Sequence, residues 1–305
     1  MLTPQIIDTV VRAALLEDAP WGDITSELLI PETAYATARL VAREPGVFSG
    51  GAVFAAAMTA TDPGIRTQLL VADGERFEKG AVLAVVSGRA RAVLQAERVG
   101  LNLVQRMSGI ATLTARYVSE IAHTRARIVD TRKTTPGLRA FERHAVRSGG
   151  GQNHRFSLSD AVMAKDNHLA VLTSQSGLSV TDALRAVRAQ LSHTTHLEVE
   201  VDRIDQIEPV LAAGVDTIML DNFTIDQLRE GVALVAGRAL VEASGNVNLS
   251  TVRSIAETGV DVISVGALTH SVRALDLGLD VGIADADTGA GAEAGAGADE
   301  SAATP

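Results

Sequence analysis

The chain has 305 residues, enough for two domains or for one large α/β domain with an appendage. Its net charge of −10 argues against general nucleic-acid binding, and the lack of cysteine excludes disulfides, thiolate zinc sites and cysteine nucleophiles. The N-terminal residues lack a signal-peptide pattern and no apolar run is long enough to span a membrane, so we expect a soluble cytoplasmic protein.

The first third of the chain predicts a smaller α/β unit. Apolar residues at helical spacing predict a helix over residues 5–17. Short β-rich runs joined by glycine turns predict a small sheet between residues 38 and 86. A long helical segment follows over residues 92–121, with Gly109 as the candidate point for a break.

Six β-rich runs then alternate with amphipathic helical segments. The runs cover residues 128–130, 161–164, 197–201, 217–220, 240–242 and 262–265. Repeated strand–helix units of this length predict a parallel sheet, and six or seven of them predict an α/β barrel. Residues 284–305 contain no large apolar side chain and are expected to form a disordered tail.

Polar side chains follow nearly every run, at the strand ends where barrel enzymes carry their chemistry. Cations follow the early runs, whereas carboxylates and then small Ser/Gly groups belong to the later ones: Arg132, Lys133, His154, Arg155 and Lys165, then Glu200, Asp221, Ser244, Gly245 and Gly266. Arginine matches carboxylates and phosphates, paired carboxylates match a hard metal or ribose hydroxyls, and backbone N–H groups match phosphate. The set predicts an anionic substrate, a phosphorylated sugar and Mg²⁺.

Three further side chains near these residues have more specific predicted orientations or contacts. Glu198 lies in the same run as Glu200, and we expect the two to face opposite ways, with Glu200 toward the ligand. His168 either orients Lys165 and its loop or touches substrate. His270 either contacts phosphate or caps a helix, and the sequence leaves both alternatives open.

Ten motifs, in the expected order, resemble the quinolinate phosphoribosyltransferase family. They are GDIT (22–25), REPGVFSG (43–50), ERVGLNLVQRMSGIAT (97–112), DTRKTTPGLR (130–139), GGGQNHR (149–155), KDNH (165–168), LEVEV (197–201), LDN (220–222), EASGN (242–246) and SVGALTHS (264–271). The resemblance covers about residues 5–282. It implies an N-terminal α/β sandwich domain over 1–110, with 271–283 packing back on it, and an open α/β barrel of parallel strands over 111–270.

The resemblance also implies roles on the acceptor side of the site. Arg132, His154 and Arg155 would hold the two carboxylates of quinolinate. Lys133 and Lys165 would lie between quinolinate and the donor, phosphoribosyl pyrophosphate. The product would be nicotinate mononucleotide, formed with loss of carbon dioxide in NAD biosynthesis.

On the donor side, the resemblance implies that Glu200 and Asp221 bind the ribose hydroxyls and Mg²⁺. With Lys133 and Lys165 they complete the expected catalytic set. The residues expected to hold the 5′-phosphate are Ser244, Gly245 and Gly266. The family assembles as dimers or larger homo-oligomers, and Arg98 would enter the pocket of the neighbouring subunit.

Two other activities stay open from the sequence. A paralogue associated with molybdenum transport resembles the same family and would take a different anionic substrate, although the intact Arg132, His154 and Arg155 set favours quinolinate. A Schiff-base aldolase would use Lys165 on its barrel strand as nucleophile. A purely structural or binding protein is a third class, in which Lys133→Ala would leave every measurable function unchanged.

Overall fold

A computed structural model describes residues 2–284 of the chain. The N-terminal part combines three helices with small sheets. Its elements are α1 (Pro4–Asp18), α2 (Ile24–Leu29), β1 (Tyr35–Ala42), β2 (Gly46–Val47), α3 (Gly51–Thr61), β3 (Arg66–Leu69), β4 (Arg76–Phe77) and β5 (Val82–Arg89). The predicted first helix and small sheet are both present.

The larger N-terminal sheet is antiparallel and includes the last strand of the described chain. Its order is β12-β1-β5-β3, where β12 covers Leu277–Ala284 and pairs with β1 along its whole length. Alternate side chains of β1, from Ala36 to Ala42, are buried in the core of this part. The predicted tail lies outside the described residues, apart from Ala284 at the end of β12.

Helix α4 (Ala90–Ile121) joins this sheet to the rest of the molecule and is continuous over 32 residues. The predicted break at Gly109 is therefore wrong. A Cβ atom at Gly109 would overlap the backbone oxygen of Arg273, so glycine serves here to let the segment before β12 approach the helix closely. That requirement is tertiary, and the local sequence does not reveal it.

The second sheet has six parallel strands, and all six predicted runs form them. They are β6 (Arg127–Val129), β7 (Val162–Ala164), β8 (Leu197–Val201), β9 (Thr217–Asp221), β10 (Leu240–Ser244) and β11 (Val262–Ser264). The sheet order is β6-β11-β10-β9-β8-β7, which leaves β6 and β7 as its two edges. This confirms the predicted fold class, an α/β barrel of parallel strands that stays open.

At least one helix follows each strand of this sheet. These helices are α5 (Arg139–Ser148), α6 (Asp166–Ser176), α7 (Val180–Arg188), α8 (Ile207–Leu211), α9 (Ile225–Val235), α10 (Val252–Ala256) and α11 (Ala267–His270). At the open edge, Gln152 bridges to Val129 of β6, so the segment after α5 lies beside that strand. Across residues 2–284, no helix combines the length and hydropathy that a membrane crossing requires.

Candidate active site

A cavity of about 580 Å³ lies at the carboxyl ends of the parallel strands. Nine of the predicted site residues line it: Arg132, Lys133, His154, Arg155, Lys165, Glu200, Asp221, Ser244 and Gly245. Parallel strands bring their carboxyl ends to one edge, which explains why side chains far apart in sequence meet here. Cations and carboxylates therefore share one cleft.

Two predicted residues do not line this cavity. Gly266 lies beside it, because a Cβ atom there would stand 3.1 Å from Cδ of Lys133 and 3.1 Å from Nε2 of His270. Arg98 is exposed on α4 and lies outside the cavity of its own chain. Its predicted place in a neighbouring subunit stays a prediction.

The cavity has further lining residues that the sequence analysis did not select: Thr131, Met163, Met219, Asn222, Glu242, Asn246 and Ser264. Thr131, Asn222 and Asn246 each adjoin a predicted residue in sequence, so extending each strand-end motif by one position would have found them. Met163 and Met219 belong to strand interiors, where their apolar character gave no signal.

Two guanidinium groups in the cavity wall have unused donors. Nε of Arg132 and Nε of Arg155 are both fully enclosed, and neither has a hydrogen-bond partner in the described structure. The Arg155 group is held in place through Nη1, which donates to the backbone oxygen of Ala161 at 2.9 Å. Burial and the neighbouring charge of Arg132 lower the pKa of Arg155. An anionic ligand that accepts from the cavity-facing N–H groups would stabilise both cations.

Asp130, which is completely buried, fixes the segment that carries His154 and Arg155. Its carboxylate accepts from the backbone N–H of His154 at 2.8 Å and from Nη1 of Arg143 at 3.2 Å. Arg143 also donates to the backbone oxygen of Arg155 at 3.3 Å. Burial raises the pKa of Asp130, and Arg143 and the His154 amide act against that rise. One buried carboxylate thus positions two residues of the cavity wall.

A second buried carboxylate, Glu142, holds the loop of Lys133. Glu142 accepts from Nε of Arg106 at 2.9 Å, and Arg106 donates through Nη2 to the backbone oxygen of Thr269 at 3.0 Å. Thr269 in turn donates from its hydroxyl to the backbone oxygen of Lys133 at 2.8 Å. Helix α4, which contains Arg106, therefore connects the loops that follow β6 and β11.

Lys165 pairs with Glu200 across the cavity. Its backbone N–H donates to Nδ1 of His168 at 3.1 Å, so His168 orients the Lys165 loop, which was one of the two alternatives for this side chain. His270 ends α11, and its Nδ1 lies 2.6 Å from the Ser271 hydroxyl. This contact does not decide between its two alternatives.

The loops after β9 and β10 are interlocked. Nδ2 of Asn222 donates to Asp221 at 2.7 Å, and Nδ2 of Asn246 donates to Oδ1 of Asn222 at 3.1 Å. Gly245 has φ of +93°, and a Cβ atom there would overlap the Asn222 side chain. Only glycine fits this position, which keeps Ser244 and Gly245 close to Asp221.

The expectation that Glu198 and Glu200 face opposite ways is wrong. Side chains alternate along a strand, so residues two positions apart share a face. Both carboxylates turn into the barrel: Glu200 lines the cavity, and Oε2 of Glu198 lies 3.3 Å from Nε2 of His154. Burial lowers the pKa of His154, but Glu198 and Glu242 outweigh it and raise the pKa to about 10.

The sequence and the fold both match one family of known proteins. Residues 23–108 match the model of the quinolinate phosphoribosyl transferase N-terminal domain, and residues 110–280 match that of the C-terminal domain. The chain belongs to the quinolinate phosphoribosyltransferase family. The predicted resemblance is thereby confirmed.

Individual members of the family match along most of their length. A nicotinate-nucleotide pyrophosphorylase (carboxylating) of Mycobacterium leprae is 45% identical over 280 residues, covering 89% of this chain and 95% of the relative. A probable nicotinate-nucleotide pyrophosphorylase (carboxylating) of Bacillus subtilis is 42% identical over 266 residues, covering 87% and 90%. The structure of the nicotinate-nucleotide pyrophosphorylase from Francisella tularensis aligns with a TM-score of 0.86 at 35% identity, covering 92% of this chain and 98% of that one.

Proposed function

We propose that the chain transfers the phosphoribosyl group of phosphoribosyl pyrophosphate to quinolinate, and decarboxylates the adduct to nicotinate mononucleotide in NAD biosynthesis. The observation that carries the proposal is the pair of guanidinium side chains, Arg132 and Arg155, that line one cavity together. Quinolinate has carboxylates on two adjacent ring carbons, and two guanidinium groups on one wall match them. The name of the family supports the same substrate, and the names of the relatives support the nicotinate-nucleotide product.

The donor fits the opposite side of the cavity. Glu200 and Asp221 offer carboxylate oxygens suited to ribose hydroxyls and to a hard cation. The loop of Ser244 and Gly245 lines this side of the cavity, where its backbone amide groups and the Ser244 hydroxyl would donate to a phosphate. The same oxygen donors fit Mg²⁺, which when bound with pyrophosphate would neutralise the charge of the leaving group.

The chain's own residues account for the remaining chemistry. Arg132 and Arg155 orient quinolinate so that its ring nitrogen faces C1 of the ribose, and the C1–pyrophosphate bond breaks as the nitrogen bonds to C1. Lys133 and Lys165 stabilise the negative charge that develops on pyrophosphate. The electron pair of the breaking carbon–carboxylate bond stays on the ring carbon, where the adjacent pyridinium charge stabilises it. Carbon dioxide leaves, and that carbon takes up a proton from water.

The rival activities fit the site less well. Nζ of Lys165 is engaged by the carboxylate of Glu200, whereas a Schiff-base lysine must present its amine to a carbonyl substrate. The paralogue associated with molybdenum transport would have the same fold and would take a different anionic substrate in place of quinolinate. It is separated from quinolinate transfer by substrate alone.

A direct assay tests the proposal. Purified protein is incubated with quinolinate, phosphoribosyl pyrophosphate and Mg²⁺, and nicotinate mononucleotide is followed by chromatography. We expect product that disappears with EDTA and with Arg132→Ala. Folded protein that forms no product would contradict the quinolinate assignment, and other heteroaromatic anions would then be screened as acceptors.

We further propose a homodimer or larger homo-oligomer in which Arg98 completes the site of the neighbouring subunit. The exposure of Arg98 on α4, outside its own cavity, supports this arrangement. A cytoplasmic location is part of the same proposal, supported by the cysteine-free sequence.

A further inference from the structure

Beneath the active-site cavity, two buried carboxylates face one imidazole nitrogen. Nε2 of His154 lies 3.3 Å from Oε2 of Glu198 and 3.4 Å from Oε2 of Glu242. The side chains of His154, Glu198 and Glu242 are 12%, 5% and 4% exposed. The segment after α5 supplies the histidine, and strands β8 and β10 supply the two carboxylates. The three side chains therefore meet inside the barrel, away from bulk solvent.

The hydrogen bonds of His154 show which of its nitrogens carries a proton. Nδ1 accepts the backbone N–H of Arg155 at 2.7 Å, so this nitrogen has no proton of its own. Nε2 is then the protonated nitrogen, and its single N–H is shared between Glu198 and Glu242. Both ring nitrogens are engaged, and the ring orients the two carboxylates.

One N–H group balances only part of the charge of two carboxylates. Oε1 of Glu198 and Oε1 of Glu242 are enclosed, and neither has a hydrogen-bond partner within residues 2–284. Burial raises the pKa of Glu198, the hydrogen bond from His154 opposes that rise, and the charge of Glu242 adds to it. Burial lowers the pKa of His154, but the two carboxylates raise it to about 10, so the cluster as a whole attracts a further proton. Because Nδ1 is already an acceptor, a carboxyl group carries that proton.

Glu242 is the carboxyl group of this cluster that reaches both ends of the barrel. Three residues, His154, Arg155 and Glu242, line both the active-site cavity and a second cavity at the amino ends of the strands. Arg155 keeps its protons at any ordinary pH, and both ring nitrogens of His154 are engaged. Glu198 lines the second cavity and not the first. Glu242 can therefore release a proton on one side and regain it from the other.

The second cavity has room for the water that would supply the proton. Its volume is about 400 Å³, and its lining includes His196 and Thr217, whose Nε2 and Oγ1 atoms lie 2.9 Å apart. A water molecule occupies about 30 Å³ in the liquid, so this polar cavity admits several. Water can thus reach Glu242 without passing through the substrate pocket.

We propose that Glu242 is the general acid that protonates the ring carbon from which carbon dioxide has left. This inference rests on the proposed function, and it gives the route by which the proton from water reaches that carbon. The O–H bond of the Glu242 carboxyl group breaks, and its proton bonds to the carbon through the electron pair left behind. The Glu242 carboxylate then takes a proton from water in the second cavity, which leaves hydroxide. Glu198 and His154 act through Glu242, as positioning residues that keep a proton in the cluster.

The reverse proton transfer tests this role directly. A group that donates a proton to the ring carbon in one direction removes it in the other, so bound nicotinate mononucleotide should exchange its C2 hydrogen with solvent. The full-length protein is incubated with nicotinate mononucleotide in D₂O, and the C2 hydrogen signal is followed by proton NMR. We expect exchange in the wild type, and exchange at least about 100-fold slower in Glu242→Gln.

Glu257→Gln is the matched control, because Glu257 pairs with His123 at an exposed site. It should exchange at the wild-type rate. Glu242→Asp keeps a carboxyl group at a shorter reach and should retain part of the exchange. Circular dichroism shows that each variant is folded, and calorimetric titration with nicotinate mononucleotide shows that it still binds the product.

Two results would overturn the proposal. The first is undiminished exchange in folded Glu242→Gln that binds the product, which would assign the proton to another donor of the cavity, such as Lys133 or Lys165. The second is wild-type protein that forms nicotinate mononucleotide from quinolinate but exchanges no C2 hydrogen. That second result would leave the proposed function intact, whereas a failure to form the product at all would contradict the proposed function itself.

Discussion

The cationic side chains of the cavity wall differ in whether they already have a hydrogen-bond or ion-pair partner. Arg132 and Arg155 have enclosed donors without acceptors, whereas Lys165 already pairs with Glu200. A guanidinium presents two N–H groups to one carboxylate, and an ammonium does so less well. The arginines should therefore determine the affinity for quinolinate, with little effect on the other substrate.

This leads to a prediction for Arg132→Lys. We expect the KM for quinolinate to rise roughly 10- to 100-fold, equivalent to about 1.4–2.7 kcal/mol. Lysine keeps the positive charge but loses the pair of parallel N–H groups that the guanidinium presents to a carboxylate. The KM for phosphoribosyl pyrophosphate should change little. Steady-state kinetics with each substrate varied in turn provides the measurement.

Arg127→Lys is the matched control for this substitution, since Arg127 begins β6, the strand that precedes Arg132, at the opposite end of the barrel. It should leave both KM values near those of the wild type. An equal rise in both KM values for Arg132→Lys would contradict the carboxylate role of Arg132.

Asp130 is the side chain on which the wall segment depends most. Asp130→Ala leaves the Arg143 charge, which is 13% exposed, and the His154 amide without their acceptor. We expect a loss of about 3–5 kcal/mol in the free energy of unfolding, measured by urea denaturation. Asp226→Ala, at an exposed ion pair, should change it by no more than about 0.5 kcal/mol. Equal losses in the two variants would contradict the account.

At the scale of elements, Asp73 connects the loop before β4 to two helices. It accepts from the backbone N–H groups of Gly50 and Gly51 at the start of α3, at 3.0 Å each, and lies 2.6 Å from Nε2 of His144 in α5. Burial raises the pKa of Asp73, but these hydrogen bonds outweigh it and lower the pKa below its usual value. The carboxylate therefore stabilises the fold only while it is ionised.

A lowered carboxyl pKa contributes stability above the unfolded pKa, near 4, and that stability is lost as pH falls through the lower, folded value. We expect Asp73→Asn to lower the unfolding free energy at pH 7 by about 1–2 kcal/mol, with the difference from wild type shrinking below about pH 4. Denaturation at a series of pH values measures it. A difference that grows on acidification would contradict this assignment, and exposed Asp8→Asn is the control.

The elements themselves were largely predictable from the sequence. Short β-rich runs bounded by polar residues predict the barrel strands. Parallel strands buried on both faces are nearly continuous in apolar residues, as β9 and β11 are. Helix α4 was predicted except for its continuity at Gly109, which depends on the backbone of Arg273. The pairing of β12 with β1, more than 230 positions apart, has no local signal beyond the family resemblance.

The residues of the site could be predicted from the sequence where they follow a strand, because the carboxyl ends of parallel strands meet at one edge of the sheet. That rule places nine predicted residues around one cavity. It cannot show that Glu242 reaches His154, because that contact depends on how the segment after α5 lies beside β6. The same limit applies to Asp130 and Glu142, whose roles lie in contacts between distant loops.

At the scale of the whole molecule, the proposed exchange of Arg98 makes each site a product of two subunits. Arg98→Ala and Lys133→Ala should each be nearly inactive alone. Mixed dimers contain one intact site, built from Lys133 of one chain and Arg98 of the other. We expect activity to return after the two variants are unfolded, mixed and refolded together, as measured by product formation.

Each variant refolded alone is the control for this experiment and should stay inactive. Mixed dimers that regain no activity, although exchange is verified by differently tagged chains, would contradict the shared site. Full activity of Arg98→Ala alone would contradict it as well.

The central claim is that one cavity couples phosphoribosyl transfer to decarboxylation. The most direct measurement uses quinolinate labelled in its 2-carboxylate, with released carbon dioxide and pyrophosphate counted in the same reaction. We predict equal amounts of both, and no carbon dioxide when phosphoribosyl pyrophosphate is omitted. Pyrophosphate without carbon dioxide, or carbon dioxide without the donor, would contradict the account.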